Sequence, residues 1–375
     1  MGSTLRNRRW FRLLCHVCRT LFAVTFILSG FVKAIDPWGT ALNIGNYLAA
    51  YGFSDYDYLV MPFSIWLCGA EFMMGCMLLF KVRIRLVSIF ALVSMTFFTL
   101  LTFLSATFIP VEDCGCFGEF IKLTPWQTFA KNLILLPMAV CIWWRYRPDS
   151  AFSFSRLELL LAVLFFVLSM SIGTLSYRHL PLIDMLPYHK GVNIAEAMEE
   201  ARNAKAESEI VLVYRNRRTG RLREFSLNDR SWQNTARWEW VETRVDEETV
   251  DSVRPMILEF HIADHDRDVT DSLLNVRGRM YMLCINDADD LSADCRHRMT
   301  SVVKQADSEG SAVICITPKP MDADRHSVTL EEGCEVSCYN IDFKTMITLL
   351  RTTAGYVCLE DGTIVDKRNC RDIDF

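Results

Sequence analysis

The chain has 375 residues, 14 of them cysteine, and a formal net charge of -5 at pH 7. The acidic balance and the lack of a basic face exclude a nucleic-acid-binding protein, and the length excludes a small disulfide-stabilised scaffold. Apolar residues are concentrated in positions 1–177, whereas positions 178–375 have the charged composition of a globular region. We therefore expect a membrane-embedded first half and a soluble second half.

Five apolar windows of the first half are long enough to cross a bilayer as helices, which takes about 20 apolar residues each. They lie at about 13–34, 58–80, 86–108, 124–144 and 157–177. The first four form the predicted all-α four-helix bundle of residues 1–145, and the fifth is a further transmembrane helix in residues 146–177. The first window is too long for a cleaved signal peptide and lacks a small-residue cleavage site. The segment 38–52 is too short to span and is predicted to cap the bundle on its outer side.

Charges in the short loops predict the orientation, because lysine and arginine are enriched on the cytoplasmic side of a membrane. Basic residues precede the first window and separate windows two from three and four from five: Arg6, Arg8, Arg9, Arg12, Lys81, Arg83, Arg85, Arg145, Arg147 and Arg156. The alternate loops are mainly acidic. We expect a multi-pass protein of the bacterial inner membrane, with a cytoplasmic N-terminus and residues 178–375 in the periplasm.

The outer loop between windows three and four contains the stretch VEDCGCFGEF, in which Gly115 separates Cys114 from Cys116. Disulfides persist in an oxidising compartment, and a disulfide across a single residue closes a small, strained ring that is easily reduced. Glycine tolerates the backbone angles that such a ring needs. Three interpretations stay open: a redox pair, a structural disulfide, and a metal site. The metal site lacks an obvious second pair of ligands.

Three ionisable residues of the predicted spans are candidate partners of the cysteines. Lys33 ends the first span and Lys131 lies about two turns inside the fourth, so either could approach the loop and favour a thiolate. Glu71 lies near the middle of the second span, where a carboxylate is costly and by default functional. It is either a proton relay or the structural partner of a lysine. Asn132 is predicted to bridge helices by hydrogen bonds.

The soluble half divides into a periplasmic linker and β-containing segment at 178–255 and a second part at 256–375. In the first part, 194–208 predicts an amphipathic helix, and 209–214 and 221–227 predict a hairpin. In the second part, a strand–helix–strand pattern is followed by a helix and a hairpin that turns at Asp361-Gly362. The predicted elements lie at 280–285, 292–306, 312–317, 338–341, 343–350, 355–360 and 363–366.

This pattern resembles an α/β thioredoxin-like fold, but its redox residues are degenerate. Only Cys295 follows the first strand, acidic residues surround it, and no proline precedes the hairpin. We therefore expect no dithiol catalysis in this region. Cys284, Cys315 and Cys358 fall on predicted strands and are expected in the core. Cys334 and Cys338 could pair, although their spacing is weak evidence.

Several motifs of the first half resemble membrane proteins of the DoxX and MauE types. The runs Ser29–Lys33 with Asp36-Pro37, and Glu71–Gly75, resemble their first two helices, over a likeness that covers about residues 12–145. The string Asp113–Gly118, followed by Thr124-Pro125-Trp126 and Lys131-Asn132, is similar to the MauE methylamine-utilisation type in particular. The resemblance implies a role in disulfide formation of a periplasmic partner.

The leading hypothesis is a thiol–disulfide oxidoreductase or disulfide-maturation protein that uses Cys114 and Cys116 with a periplasmic thiol protein. The sequence identifies no cofactor, and a membrane quinone is one candidate electron acceptor. The main alternative is a non-enzymatic membrane anchor or assembly factor whose thioredoxin-like region binds a partner. A third hypothesis, a small-molecule carrier that uses Glu71, is weakened by the few other charges inside the spans.

Overall fold

A computed structural model describes residues 9–53, 57–108, 115, 118, 123–147, 155–184, 186–226, 229, 231, 234, 237–245, 257, 260–265, 267–319 and 327–373. The chain divides into two compact units, residues 1–185 and 186–375. The first unit is helical where it is described, and the second is rich in β-sheet.

The first unit contains long helices wherever the sequence predicted a span. Its helices are α1 (Arg9–Ile35), α2 (Pro37–Ala50), α3 (Asp57–Phe80), α4 (Ile84–Thr107), α5 (Pro125–Tyr146) and α6 (Arg156–Arg178). Two of them begin with residues that satisfy free backbone amides. The Asp36 carboxylate accepts from the Gly39 amide ahead of α2, and Thr124 and Gln127 form a capping box ahead of α5. The predicted helix start at Thr124-Pro125 is thus confirmed, as is a short helix between the first two spans.

Among the described residues, four helices are long and apolar enough to cross a membrane: α1, α3 from Tyr58, α4 and α6. The helix predicted at 157–177 is one of these four. The helix predicted at 124–144 forms as α5 but is not among them; it carries Lys131 and Arg145. Many large apolar side chains point away from the bundle, as Leu100 and Leu160 do, whereas the bundle interior contains small and polar residues. This distribution is that of a protein surrounded by lipid.

The helices of the first unit approach closely at glycines. Helix α1 packs along α3, and α4 packs along α5. A Cβ added to Gly30 would lie 2.8 Å from the Cys68 carbonyl oxygen, and one added to Gly75 would lie 2.7 Å from the Ile27 amide nitrogen. Small residues at such positions let two membrane helices bring their backbones together. The close approach of α1 and α3 brings their polar side chains within hydrogen-bonding distance.

The second unit begins with α7 (Ile194–Glu209) and a three-stranded sheet of β1 (Ile210–Asn216), β2 (Leu222–Ser226) and β3 (Trp238–Val245) in the order β2-β1-β3. The predicted amphipathic helix and antiparallel hairpin are confirmed, and β3 was not predicted. Trp238 is buried against Phe225, whereas Trp240 is exposed. Of these two tryptophans, only Trp238 therefore packs in the interior of this sheet.

The larger sheet of the second unit has eight strands. Its elements are β4 (Ile262–Asp264), β5 (Arg267–Asp268), α8 (Thr270–Leu274), β6 (Arg279–Ile285), α9 (Ala293–Glu309), β7 (Ala312–Thr317), β8 (Ser327–Glu331), β9 (Cys334–Ile341), α10 (Phe343–Leu350), β10 (Ala354–Glu360), β11 (Thr363–Asn369) and a 3-10 turn (Cys370–Asp372). The order is β11-β10-β6-β7-β9-β4-β5, and β8 pairs with β9. Strands β6, β7 and β9 are parallel, whereas β10 and β11 are antiparallel to their neighbours.

The strand–helix–strand and helix–hairpin elements of this sheet agree with the sequence prediction. The hairpin turns at Asp361 and Gly362, both with positive φ, as the Asp-Gly signal predicts. Strands β4, β5 and β8 were not predicted, because each is a short segment without a sustained apolar alternation. The core between α9 and the sheet contains Leu283, Met299 and Cys315, all buried.

Candidate functional site

The helices of the first unit line a partly open cavity of about 530 Å³. Its lining comes from α1 to α5, from Tyr51 and Phe53 after α2, and from the loop glycine Gly115. Most of the lining side chains are apolar or aromatic. All five helices also contribute polar side chains, which include Ser29, Lys33, Asn43, Glu71, Thr102, Lys131 and Asn132. An apolar cavity with a few convergent polar groups is the usual form of a small-molecule site.

A buried ion pair forms one wall of this cavity. The Lys33 ammonium donates to both carboxylate oxygens of Glu71, at 2.8 and 2.9 Å, and the Ser29 hydroxyl donates to Oε2 at 2.9 Å. Ser29 and Lys33 are four residues apart and therefore lie on one face of α1. Only 9% of the Lys33 side chain and 7% of the Glu71 side chain are exposed. The pair carries no net charge, which reduces the cost of burying two ions.

Helix α5 contributes Lys131 and Asn132 to the lining. Asn132 is buried, and its amide donates to the Thr102 hydroxyl at 3.2 Å and to the Phe98 carbonyl at 3.4 Å. This contact joins α5 to α4 and confirms the predicted helix bridge. The capping box at Thr124 sets the start of α5 and hence the positions of both residues.

The structure therefore brings three of the predicted site residues, Lys33, Glu71 and Lys131, to one cavity. The other two, Cys114 and Cys116, lie outside the described residues. Gly115, which separates them in the sequence, is described and lines the same cavity. Its φ is +57°, and its carbonyl accepts from the Gly118 amide at 3.1 Å to close a turn.

Gly115 packs on Asn43 of α2. A Cβ at position 115 would lie 3.0 Å from Asn43 Cγ and closer still to Nδ2, so that a larger residue cannot fit without a shift. The left-handed backbone angle is a second reason for glycine here, because L side chains rarely adopt it. The glycine of the CGC string is thus needed both for the turn and for contact with α2.

The sequence reasoning missed the residues of α2 and its C-cap that line the cavity. Asn43 and Tyr47 are four residues apart and share one face of α2, and Tyr51, four residues further on, is the C-cap residue. The Asn43 amide nitrogen and the Tyr51 hydroxyl are buried and have no hydrogen-bond partner within the part of the chain that the structure describes. The i, i+4, i+8 spacing of Asn43, Tyr47 and Tyr51 was the signal that could have found them.

Two further features of the helical unit were not predicted. Arg19 is buried, and its guanidinium donates to the carbonyls of Leu78 and Leu79 at 2.6 and 2.7 Å, which satisfies free carbonyls in the last turn of α3. The sulfur atoms of Cys15 and Cys141 lie 2.8 Å apart, between α1 and α5. Neither contact follows from sequence spacing, because the partners come from different helices.

In the second unit, Cys295 forms a disulfide with Cys370 across 75 positions of sequence. Sequence reasoning noted Cys295 only as the single cysteine after the first strand and assigned it no partner, because Cys370 lies beyond five further strands. Cys334 and Cys338, the pair considered from spacing, are both free thiols.

The remaining cysteines of the second unit are unsuited to nucleophilic chemistry. Cys284, Cys315 and Cys358 are buried, as the sequence predicted. Burial raises the pKa of the Cys358 thiol to about 11 and also raises the pKa of Cys284, because a thiolate is poorly solvated there. These thiols stay protonated at neutral pH. Among the described residues, no cluster of three or more His, Cys, Asp or Glu side chains could hold a metal ion.

These features define a multi-pass membrane protein with a polar-lined cavity in its helical unit and a separate sheet-rich unit. Residues 11–145 match the family model described as "Methylamine utilisation protein MauE". The match covers α1 to α5 except for the ends of α1 and α5, together with the CGC loop, and ends before α6 and the sheet-rich unit. Searches of curated proteins and of solved structures found no match.

Proposed function

We propose that this protein is a thiol–disulfide oxidoreductase or disulfide-maturation protein that acts through Cys114 and Cys116. The observation that carries the proposal is the position of Gly115. The residue that joins the two cysteines lines a cavity that also contains the Lys33–Glu71 pair and Lys131. Because an ammonium group favours a thiolate and Lys33 is neutralised by Glu71, Lys131 is the residue of this lining that suits a reactive pair better than an inert turn. The similarity to MauE supports the same role.

The proposed reaction is an exchange of two electrons between two dithiol–disulfide couples. A thiolate of a partner protein attacks the Cys114–Cys116 disulfide and forms a mixed disulfide, with one cysteine of the pair released as a thiolate. The second thiolate of the partner then attacks the mixed disulfide. The partner leaves with a new disulfide, and Cys114 and Cys116 are left as a dithiol.

We further propose five membrane crossings, by α1, α3, α4, α5 and α6. Helix α5 has 22 residues, about 33 Å at 1.5 Å per residue, which is enough for the hydrocarbon core. With the arginine-rich loops in the cytoplasm, this places the CGC loop and residues 178–375 in the periplasm, where disulfides persist. The Cys295–Cys370 disulfide is consistent with that compartment.

Trapping of the partner in membranes tests the redox proposal. Cys116→Ser and Cys114→Ser variants, expressed as the full chain, should retain a mixed disulfide with a periplasmic protein. The remaining thiolate attacks the disulfide of the oxidised partner, in the reverse of the exchange, and the second cysteine that would release the partner is missing. Cys68→Ser is the matched control, since Cys68 is a buried free thiol of α3. Alkylation of wild type before and after oxidant should change both cysteines of the pair together. A pair that remains reduced and captures no partner at any redox poise would overturn the proposal.

A specific observation also favours a second function, a membrane anchor with a binding domain. Strands β6 and β7 are parallel around α9, and β10 and β11 complete the sheet after α10. This order supports the proposed thioredoxin-like fold, while the protonated thiols argue for binding without catalysis. This function predicts that a Cys114→Ser/Cys116→Ser double variant complements a deletion strain, whereas removal of residues 186–375 does not.

A further inference from the structure

The cavity of the helical unit is larger than the predicted redox loop requires. A disulfide exchange at the membrane surface needs only the two cysteines and access for the partner. The cavity instead extends from Gly115 to the Lys33–Glu71 pair and has a volume of about 530 Å³. That volume lies in the range of about 300–1,000 Å³ that is typical of sites for small organic ligands.

The walls of the cavity indicate a flat, apolar ligand. Aromatic and aliphatic side chains from all five helices face it, among them Phe26, Phe63, Phe98 and Leu101. Aromatic rings stack favourably on other planar rings, and an apolar surface of this kind is poorly hydrated. A ligand that fits these walls is a planar ring system with an apolar body.

The polar groups of the lining indicate which atoms that ring carries. The Asn43 amide nitrogen and the Tyr51 hydroxyl are buried without a hydrogen-bond partner among the described residues. The amide nitrogen only donates, and the Tyr51 hydroxyl can also donate, so both favour a ligand with acceptor oxygens. Buried donors without an acceptor cost free energy, which a bound acceptor removes.

The charges of the lining make an ionic ligand a poorer fit than a neutral one. Lys33 is already neutralised by Glu71 at 2.8 Å, so an anion gains little there and faces the Glu71 carboxylate. A cation meets the ammonium groups of Lys33 and Lys131. A neutral molecule with carbonyl oxygens satisfies the donors without this conflict.

We propose that this cavity binds the head group of a lipid-soluble quinone, which accepts the electrons of the reduced Cys114–Cys116 pair. This inference rests on the proposed redox function, whose exchange leaves that pair as a dithiol. Formation of the sulfur–sulfur bond then releases two electrons and two protons. The quinone takes up both, and its two carbonyl oxygens become the hydroxyl groups of a quinol.

The geometry assigns positioning roles to Asn43 and Tyr51. Asn43 contacts Gly115 and offers its amide to a carbonyl oxygen, which would hold one edge of the ring at Gly115. The Tyr51 hydroxyl, the second buried donor of the lining, would serve the other carbonyl oxygen.

Photoaffinity labelling of the full-length protein in nanodiscs tests the site. The probe is an azido derivative of a short-chain ubiquinone, with unlabelled ubiquinone as competitor and mass spectrometry to locate the label. In wild type we expect saturable labelling of peptides from α2, α3 and α4 that the competitor suppresses at least tenfold. Labelling spread over the lipid-facing surface, or labelling that the competitor leaves unchanged, would overturn the site.

Two variants on neighbouring residues supply a matched comparison. Leu101 lines the cavity, whereas Leu100 is 58% exposed on the outside of the same helix. Leu101→Trp should fill the cavity and lower competed labelling at least tenfold, while Leu100→Trp should leave it as in wild type. Asn43→Ala should weaken labelling severalfold and Asn43→Gln should restore part of it. Thermal transitions near that of wild type exclude misfolding, and equal labelling of both tryptophan variants contradicts the proposal.

A Cys114→Ser/Cys116→Ser variant separates this inference from the redox function. It should keep competed quinone labelling, because the binding groups are elsewhere, but lose thiol-dependent reduction of ubiquinone, followed by absorbance. If wild type is labelled but its cysteines are never oxidised, the quinone site is supported and the redox function is overturned. If Cys114 and Cys116 exchange disulfides but no quinone labelling occurs, the redox function is supported and the quinone site is overturned.

Discussion

Two lysine–carboxylate pairs, one in each unit, have nearly the same geometry in different surroundings. Lys33 lies 2.8 Å from Glu71, and Lys319 lies 2.9 Å from Asp287. The first pair is almost completely buried, whereas 50% of the Lys319 side chain is exposed. A buried ion without its partner is strongly destabilising, but an exposed pair contributes at most about 1 kcal/mol. The surroundings, and not the distance, therefore determine what each pair does.

The two units also differ in where their apolar residues lie. In the helical unit, large apolar side chains such as Leu100 and Phe90 face outward, and the interior holds an ion pair and a cavity. In the sheet-rich unit, Leu283 and Ile316 are fully buried and the acidic residues are on the surface. Polar and charged residues inside the first unit are costly in an apolar membrane environment, and this cost makes them candidates for function.

Breaking the buried pair should have the largest effect. Glu71→Ala leaves the Lys33 ammonium buried without its counter-ion, and we expect a loss of about 3–5 kcal/mol in unfolding free energy. Thermal unfolding of the full chain in detergent measures this loss. Lys33→Met/Glu71→Met should recover most of it, because no buried charge remains, and Asp287→Ala should change stability far less, because solvent screens the exposed pair. Equal effects of Glu71→Ala and Asp287→Ala would contradict the comparison.

Removal of the Cys295–Cys370 disulfide should have the second-largest effect on stability. Cys295→Ala/Cys370→Ala opens a loop of 75 positions, and we expect the sheet-rich unit to lose about 2–5 kcal/mol. Hydrogen exchange of the β6 amides in the full chain reports this loss directly. Reductant should lower protection in wild type to the level of the variant and leave the variant unchanged. Unaltered protection in both cases would mean that the disulfide does not stabilise the sheet.

Gly115→Ala should lower the unfolding free energy by a smaller amount. This loss has a backbone part and a contact part, which a control variant separates. The left-handed backbone costs about 1–2 kcal/mol for a residue with a Cβ, and contact with Asn43 adds to it. Gly118→Ala carries only the backbone cost, since its nearest neighbour is Val32 at 3.7 Å. In thermal unfolding, Gly115→Ala should therefore be less stable than Gly118→Ala. When Asn43→Ala is added to both variants, this difference in stability should disappear. If both alanine variants unfold alike, the contact with α2 is not important.

The smallest effect is a pH dependence at the exposed pair. Hydrogen bonds from Lys319 and from the Asp289 amide lower the pKa of Asp287, with the Lys319 bond as the main cause. A lowered folded-state pKa gives stability that is present above the unfolded pKa of about 3.9 and is lost as pH falls through the folded value.

Unfolding of the sheet-rich unit in the full chain, followed between about pH 5 and pH 2, measures this contribution. Lys319→Met should make the acid-induced loss of stability shallower. Identical acid profiles for wild type and the variant would show that the pair contributes nothing.

Much of the local structure was predictable because it depends on neighbouring residues. The apolar windows, the Thr124-Pro125 helix start and the Asp361-Gly362 turn all formed where the sequence placed them. Lys33, Glu71 and Lys131 were predictable as site candidates, since ionisable residues inside apolar windows are conspicuous. Their spacing, however, left open whether Glu71 pairs with Lys33, with Lys131 or with neither.

The sequence by itself determined that this protein has membrane helices, a separate sheet-rich unit and a glycine turn at Gly115, because these follow from hydropathy and from local backbone preferences. Only the tertiary structure decided that Glu71 pairs with Lys33, that Cys295 joins Cys370, and that Gly115 packs on Asn43 at a cavity. The physical reason is that each of these contacts joins residues far apart in the chain. Their distances depend on how helices and strands pack, and no local pattern records that packing.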